Sequence, residues 1–340
     1  MCGDRDLIVP ILSVFGALIA AELCTGSSGS FKRRVGNGLP DITAEGADCR
    51  LRSMVDLVAS SLVKQVLVPR KIARMVGFVI DRSFGRKAFG ADPASYHSAR
   101  PPYPDWVFAT LVERCGLADG KSVFEIGPGT GTATRRLLDL GARPLIAIEP
   151  DPGLAAYLRK NNPDEALKVK VSTFEDAAFG EAGFDLGVCA TALHWLEEGF
   201  ALAKVAGVLR PGGWWTMVWN VFGDDSRPDP FHERTKMLLA ARRSPSAGTC
   251  GIPFALDSTA RVEALRRTGA FDLIEHRSSA WLLELDPEQT VALYAIYSDI
   301  TARQDREAVL TKLERIARDE FHGRGTRNMT TILYTARRCT

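Results

Sequence analysis

The chain has 340 residues, of which 46% are hydrophobic and 25% are charged. This length suits one large domain or two ordinary ones, and the composition is that of a globular protein. The formal net charge of +2 argues against a dedicated nucleic-acid binder, because such proteins usually carry a strong basic excess. The seven cysteines are widely spaced and form no C-x-x-C pair, and the five histidines are scattered. We therefore predict a cytoplasmic protein without a disulfide framework or a metal site.

The N-terminal part begins with an apolar run from Leu7 to Ala21. The run contains Pro10 and is shorter than the roughly 20 residues of a membrane-spanning helix. A weak signal or anchor and an irregular apolar leader are both compatible with it. A Gly/Ser-rich linker follows the run.

A helix is predicted after this linker, because apolar residues recur at helical spacing and Pro69 then ends the pattern. Lys64 to Lys87 contains seven Lys or Arg residues and a single acid, Asp81. Such a segment predicts either weak contact with an anionic membrane surface or a solvated helix packed on the domain. We assign residues 1–82 to an N-terminal extension. The apolar stripe consists of Leu51, Val55, Val58, Leu62 and Val66.

From Ser122 onwards, apolar runs alternate with amphipathic segments, a pattern that predicts a parallel sheet with helices on both faces. Ligands of such sheets bind at the carboxyl ends of the strands, where the strand order switches. The predicted strands are "SVFEIG", "PLIAIE", "LKVKVSTFE", "FDLGVCAT" and "WWTMVWN", and the predicted helices are "ATRRLLDLG", "DPGLAAYLRKN" and "FALAKVAGVLRPGG".

A glycine-rich loop follows the first of these strands, with Gly127, Gly129 and Gly131 at alternate positions. Glycines allow a sharp turn and a close approach of the backbone to a ligand. The dinucleotide fingerprint G-x-G-x-x-G would need a glycine where Thr132 stands, and the loop lacks the Lys-Ser/Thr pair of a P-loop. The loop alone therefore predicts a ligand site without naming the ligand.

The motif "VFEIGPGTGTATRRLL" resembles the first motif of class I S-adenosylmethionine-dependent methyltransferases. "LIAIEPDPGL", "FDLGVCATALHWL" and "AGVLRPGGWWTMVWN" are similar to the motifs that follow it in this class, and "YHSARPPYPDWV" is similar to a segment of its small-molecule branch. The resemblance covers roughly residues 84–338. It implies a Rossmann-like, seven-stranded, mostly parallel sheet with S-adenosyl-L-methionine as the cofactor.

The resemblance also implies roles for individual residues. The three loop glycines would admit the methionine and ribose parts of the cofactor, Glu125 would lie near its ammonium, and Glu149 would accept hydrogen bonds from the ribose hydroxyls. Alternative roles are a capping acid for Glu125 and a helix N-terminal acid for Glu149. The adenine contact is expected at Phe174 and Glu175, with Asp176 and a plain turn as alternatives, and Ala190 lies where the fourth strand opens onto the cofactor.

Two residues are candidates for the catalytic step. His194 has an unperturbed pKa near neutrality and is predicted either as a general base or as a packed histidine of the pocket wall. Tyr96 is predicted to close over the sulfonium by a cation–π contact, and Arg100 to pair with the methionine carboxylate. A surface strap is the alternative for Tyr96 and Arg100.

The methyl acceptor is expected to be a small molecule, because no N-P-P-Y-type signature follows the fourth strand, where "ATALHW" stands. We assign residues 83–225 to the cofactor-binding core and residues 226–340 to a substrate cap with the final strands. Trp281, Tyr294 and Tyr297 are candidates to line the acceptor pocket. An NAD(P)-dependent oxidoreductase and a non-catalytic S-adenosylmethionine-binding module are the alternative functions.

Overall fold

The computed structural model describes residues 78–87, 89–179, 183–222, 224, 226–240, 242–248 and 252–340. The apolar leader, the Gly/Ser-rich linker and the apolar stripe of the sequence analysis lie outside these residues, as does most of the basic segment. Their predicted roles, including membrane contact, therefore stay predictions. Within the described ranges, no helix has both the length and the apolar character that crossing a membrane requires.

The described chain begins with β1 (Phe78–Val79), whose two residues pair in parallel with β7 (Arg242–Arg243). Ile80, which follows β1, is buried at 5% relative exposure. Ile80 therefore packs into the core, while Asp81 and Arg82 are exposed, and the boundary that we predicted at residue 82 stays a prediction. Three helices follow: α1 (Arg82–Lys87), α2 (Pro93–Ala99) and α3 (Asp105–Glu113).

Strands and helices alternate over the next hundred residues, as the sequence pattern predicts. Polar side chains begin several of these helices; the Asp151 carboxylate, for example, accepts hydrogen bonds from Gly153 N and Leu154 N at 2.8 and 3.1 Å. The elements are β2 (Lys121–Ile126), α4 (Thr132–Asp139), β3 (Ala142–Glu149), α5 (Pro152–Asn161), β4 (Leu167–Val171), β5 (Phe184–Ala190), a 3₁₀ turn (Leu193–Trp195), α6 (Glu198–Val208) and β6 (Leu209–Val221).

The C-terminal part adds helices and the last two strands. Its elements are α7 (Pro230–Leu239), a 3₁₀ turn (Pro245–Ala247), α8 (Ser258–Arg267), β8 (Phe271–Leu285), α9 (Pro287–Ala295), α10 (Ser298–Thr301), α11 (Arg306–Arg315), a π-helical turn (Ile316–Glu320) and β9 (Gly325–Arg338). An apolar cluster around Phe231, Tyr294 and Leu313 joins α7, α9 and α11 into a helical cap.

One seven-stranded sheet runs through the fold in the order β4-β3-β2-β5-β6-β9-β8. Strands β2 to β6 are mutually parallel, and β9 is antiparallel to both of its neighbours. The predicted α/β fold with a mostly parallel, Rossmann-like sheet is thus confirmed. The order reverses between β2 and β5, so the carboxyl ends of these two strands mark the ligand-binding edge.

The central strands are buried on both faces, which explains their continuous apolar runs. Phe124 and Val123, adjacent on β2, are both 0% exposed and belong to different apolar clusters. The Phe124 ring stacks on Phe174 and Trp215, with centroids 6.3 and 6.1 Å apart. This packing fixes β2 beneath the loop that follows it.

Candidate functional site

The glycine loop joins β2 to α4, and all three of its glycines have a positive φ: +63° at Gly127, +60° at Gly129 and +94° at Gly131. A Cβ atom at Gly127 would lie 2.6 Å from the Ala192 Cβ, and one at Gly131 would lie 2.5 Å from the Leu158 Cδ1. These two positions need glycine for packing as well as for backbone conformation. At Gly129 the nearest atom would be Tyr96 Cε1 at 3.7 Å, so the backbone there is left open.

Glu149 is the last residue of β3, and its carboxylate reaches across to the glycine loop. Oε2 accepts a hydrogen bond from Gly129 N and Oε1 accepts one from Asp151 N, both at 2.9 Å. The side chain is 3% exposed, and this burial raises the pKa of Glu149 to about 7. Because each carboxylate oxygen can accept a second hydrogen bond, the arrangement leaves acceptor capacity beside the open backbone of the loop.

Glu125 lies on β2 and is 0% exposed. Its Oε2 accepts a 2.6 Å hydrogen bond from Thr134 Oγ1 at the start of α4, while its Oε1 has no hydrogen-bond partner among the described residues. Burial is the main cause that raises the pKa of Glu125 to about 7, and the nearby Glu149 adds to the shift. A buried carboxylate oxygen without a hydrogen-bond partner is costly, and in this respect Glu125 differs from Glu149, whose two oxygens both accept hydrogen bonds.

Two cavities lie on either side of the loop. The larger extends from Gly129 and Thr132 to the ends of β5 and β6 and to the cap, where Tyr297 lines it. The smaller lies beside the end of β3, and Ile148 and Glu175 are among the residues that line it. Both cavities lie at the carboxyl ends of the central strands, where the switch point predicts a ligand.

Residues 96–104, which we call the proline segment, close one side of the larger cavity. Arg100 donates from Nε and Nη2 to the Tyr96 hydroxyl at 3.0 and 2.8 Å, and its guanidinium carbon lies 5.6 Å from the Tyr297 ring centroid. Among the described residues, no carboxylate forms an ion pair with Arg100. Since a guanidinium stays charged in proteins, the cavity carries one positive charge that an anionic group can neutralise.

Thr191 follows β5 with a φ of +57°, a conformation that costs a β-branched residue roughly 1–3 kcal/mol. Its N–H donates to Val218 O at 2.7 Å, and its hydroxyl lies 2.7 Å from that of Tyr103. Thr191, Tyr103 and the predicted Ala190 all line the larger cavity. Strain of this kind is typical of functional sites, and no sequence pattern reveals it at a threonine.

The expected adenine contacts border the smaller cavity. Phe174 is 2% exposed and its ring stacks in the core on Phe124, whereas Glu175 is half-buried. Asp176 is engaged in the turn itself, since its Oδ2 accepts a 2.7 Å hydrogen bond from Thr173 Oγ1. Of the predicted pair, Glu175 therefore has the more accessible side chain.

His194 lines neither of these cavities. It is 5% exposed, its Nδ1 accepts a 3.2 Å hydrogen bond from Trp219 Nε1, and its ring lies against Trp195 and Phe254. Burial lowers the pKa of His194 to about 3. These surroundings disagree with the general-base prediction and agree with the alternative of a packed histidine, because the accepting nitrogen is already occupied by an indole N–H.

Sequence reasoning overlooked three residues at the site. Asn220 and Met329 line the larger cavity, and His97 Nδ1 lies 3.0 Å from Thr130 Oγ1 in the glycine loop. Of the three aromatic residues proposed for the acceptor pocket, Tyr297 lines the cavity, while Tyr294 is buried in the cap cluster. Trp281 instead donates a hydrogen bond to Thr331 Oγ1 at 2.8 Å.

The sheet order, the glycine loop and the acid at the end of β3 agree with what the resemblance to class I S-adenosylmethionine-dependent methyltransferases implies. The family described as "Methyltransferase domain" matches residues 124–217, which contain the loop and both acids. The described residues hold no group of three or more His, Cys, Asp or Glu side chains arranged for a metal ion.

Two curated relatives share this part of the chain. A protein of Mycobacterium tuberculosis (strain ATCC 25618 / H37Rv), named as an uncharacterized methyltransferase, is 32% identical over 137 residues, which are 39% of this chain and 52% of the relative. An uncharacterized methyltransferase-like protein of Schizosaccharomyces pombe is 27% identical over 157 residues, 46% of this chain and 59% of that protein. The chain thus spans between half and three fifths of the relatives that it matches.

The chain is also similar, at low identity, to solved structures of methyltransferases. Haemonchus contortus phosphoethanolamine N-methyltransferase 2, solved with S-adenosyl-L-methionine, is 14% identical, with a TM-score of 0.48 over 78% of this chain and 61% of that chain.

Proposed function

We propose that this chain is an S-adenosylmethionine-dependent methyltransferase that transfers a methyl group to a small-molecule acceptor by in-line displacement. The observation that carries the proposal is the Glu149 carboxylate, which is buried at the end of β3 and bonded to Gly129 N of the glycine loop at 2.9 Å. A carboxylate at this position can accept hydrogen bonds from both hydroxyls of a ribose.

The other proposed cofactor contacts line the two cavities or, in the case of Glu125, lie buried next to Ile126 of the smaller one. The unpartnered Oε1 of Glu125 suits the ammonium group of the cofactor, and the unpaired Arg100 guanidinium suits its carboxylate. Glu175 and Phe174 border the smaller cavity, which suits the adenine. Tyr96 lies beside Gly129 and presents a ring that can contact a sulfonium by a cation–π interaction.

When bound, S-adenosylmethionine supplies a methyl group on a sulfonium, which a nucleophile of the acceptor displaces with its lone pair. The contribution of the chain is to hold the reacting groups in line and to exclude water, and positioning of this kind can lower a barrier by roughly 7–11 kcal/mol. Among the described residues of the larger cavity, the titratable groups are three tyrosines and Arg100. None of them is a base at neutral pH, so the acceptor must itself be nucleophilic or lose its proton to solvent.

The acceptor would bind on the side of the larger cavity formed by Tyr103, Thr191, Tyr297 and Met329. These side chains are neutral and combine hydroxyl groups with aromatic and thioether surface. The cap closes the cavity on this side, which favours a small organic molecule over a nucleic acid. The small net charge of +2 agrees with that choice.

Calorimetric titration with S-adenosylhomocysteine, followed by transfer assays with labelled S-adenosylmethionine and a panel of small acceptors, tests the proposal. We expect binding of S-adenosylhomocysteine, no binding of NAD or NADP, and label transfer to at least one acceptor. Binding of NAD or NADP in its place would indicate an oxidoreductase. Binding without transfer to any acceptor would indicate a binding module.

A further inference from the structure

The proline segment has an unusual backbone. Its sequence "RPPYP" places prolines at positions 101, 102 and 104. Proline has no N–H, so Pro101 and Pro102 offer the rest of the protein carbonyl oxygens and no backbone donor. A regular strand ladder cannot hold such a segment, so its carbonyl oxygens need donors from elsewhere in the fold.

Asn220, near the end of β6, supplies those donors. Its Nδ2 donates to Pro101 O at 3.2 Å and to Pro102 O at 3.0 Å. The orientation of the amide follows from chemistry, because carbonyl oxygens accept and only the NH₂ end of the amide can donate to them. Both protons of this one nitrogen are therefore used on consecutive proline carbonyls.

The other end of the amide is fixed from the neighbouring strands. Asn220 Oδ1 accepts a 2.6 Å hydrogen bond from Thr331 Oγ1, and Thr331 lies opposite Asn220 in the β6–β9 register. The Thr331 hydroxyl in turn accepts from Trp281 Nε1 on β8 at 2.8 Å. Donors therefore run in one direction, from the β8 indole through the β9 hydroxyl and the β6 amide to the proline segment. Thr331 is 0% exposed, which protects this chain of hydrogen bonds from water.

The residues that flank the held prolines are Arg100 and Tyr103, and both line the larger cavity, as Asn220 itself does. We propose that Asn220 is a positioning residue, which fastens the proline segment to the sheet and so sets the places of Arg100 and Tyr103. We call Asn220, Thr331 and Trp281 the Asn220 latch. The role of Arg100 toward the cofactor rests on the proposed function, whereas the hydrogen bonds from Asn220 to the proline segment do not depend on it.

The chain offers a matched control on β9. Asn328 Nδ2 donates to Arg227 O and Pro228 O, both at 3.2 Å, which is again one amide nitrogen on two consecutive carbonyls. Asn328 does not line the larger cavity. Asn220→Asp and Asn328→Asp therefore each remove an amide NH₂ group that donates to two consecutive backbone carbonyls. Only the segment held by Asn220 borders the larger cavity.

The experiment compares these two variants and the unchanged protein by hydrogen–deuterium exchange without ligand and by titration with S-adenosylhomocysteine. For Asn220→Asp we expect faster exchange of the amides from Tyr96 to Tyr103 and at least tenfold weaker binding. For Asn328→Asp we expect values close to those of the unchanged protein in both measurements.

Unchanged exchange in Asn220→Asp, or equal effects in the two variants, would overturn the latch. If the unchanged protein does not bind S-adenosylhomocysteine, the proposed function fails, while the exchange comparison still decides the latch. If Asn220→Asp does not fold, Thr331→Val replaces it, because this variant keeps the Asn220 amide and removes the hydroxyl that orients it. It should raise exchange in the same amides to a smaller extent, and no increase would overturn the proposal.

Discussion

Replacing Glu149 with alanine tests the centre of the proposed site. The change removes the acceptor of Gly129 N and Asp151 N, which now lie 2.9 Å from the two carboxylate oxygens, and it removes the acceptor proposed for the ribose hydroxyls. A hydrogen bond to a charged group contributes roughly 1.5–3 kcal/mol. At about 1.4 kcal/mol for each factor of ten, Glu149→Ala should weaken S-adenosylmethionine binding by roughly 10- to 150-fold.

The same variant also loses stability without ligand, because the N–H of the buried Asp151 is left without its acceptor at a cost of about 1–3 kcal/mol. A control must separate this loss from the loss of binding. Asp151→Ala removes the cap of α5, which costs about 1 kcal/mol, and leaves the Glu149 carboxylate in place.

Calorimetric titration with S-adenosylhomocysteine and thermal unfolding of both variants make the comparison. We expect both variants to melt at lower temperature and Glu149→Ala alone to lose affinity strongly. Glu149→Ala with wild-type affinity and an intact fold would refute the assignment, and an equal loss in Asp151→Ala would assign the effect to the local fold.

Four further outcomes follow from the structure. Burial raises the pKa of Glu125 and of Glu149 to about 7, and only the ionised carboxylates suit the cofactor. The affinity for S-adenosylmethionine should therefore rise as the pH passes from 6 to 8, which binding titrations at several pH values check. Glu125→Gln should make this pH dependence weaker. His194→Asn should leave the shape of the pH–rate profile unchanged, since burial already lowers the pKa of His194 to about 3. Loss of one limb of the profile in this variant would support His194 as the general base. Tyr103→Phe should raise the KM of the acceptor more than that of the cofactor, because the Tyr103 hydroxyl pairs with Thr191 on the acceptor side; steady-state kinetics with both substrates varied measure this. A chain that begins at Met75 should bind S-adenosylhomocysteine as the full chain does, because the site is built from described residues after it; aggregation or a much lower melting temperature would contradict this.

The sequence alone predicted the alternation of strands and helices and the edge at which a ligand binds. Both follow from local rules: a strand buried on both faces reads as an apolar run, and a tight strand-to-helix turn needs glycine. Gly127 and Gly131 could be found in this way because their neighbours along the chain reveal their places, whereas the role of Glu149 came from the resemblance to class I methyltransferases. The membrane and extension roles of residues 1–77 lie outside the described residues and stay predictions.

Other features depend on which distant segments meet. The sequence left His194 open between a general base and a packed histidine. In the structure Trp219 and Phe254 pack against it, and both lie more than twenty positions away along the chain. Burial by distant residues leaves no local pattern, so a titratable side chain near a motif does not reveal its own pKa.

The same reasoning applies to Asn220 and Thr191. Nothing in "VWNVF" shows that the Asn220 amide holds two prolines more than a hundred positions earlier, at 3.2 and 3.0 Å. Nor does "CATAL" show that Thr191 has a φ of +57°. The sequence by itself determined the sheet and the glycine loop, because each is encoded within a few residues. Only the tertiary structure decided which side chains close the cavity, because that depends on hydrogen bonds and packing between segments that meet only in the folded chain.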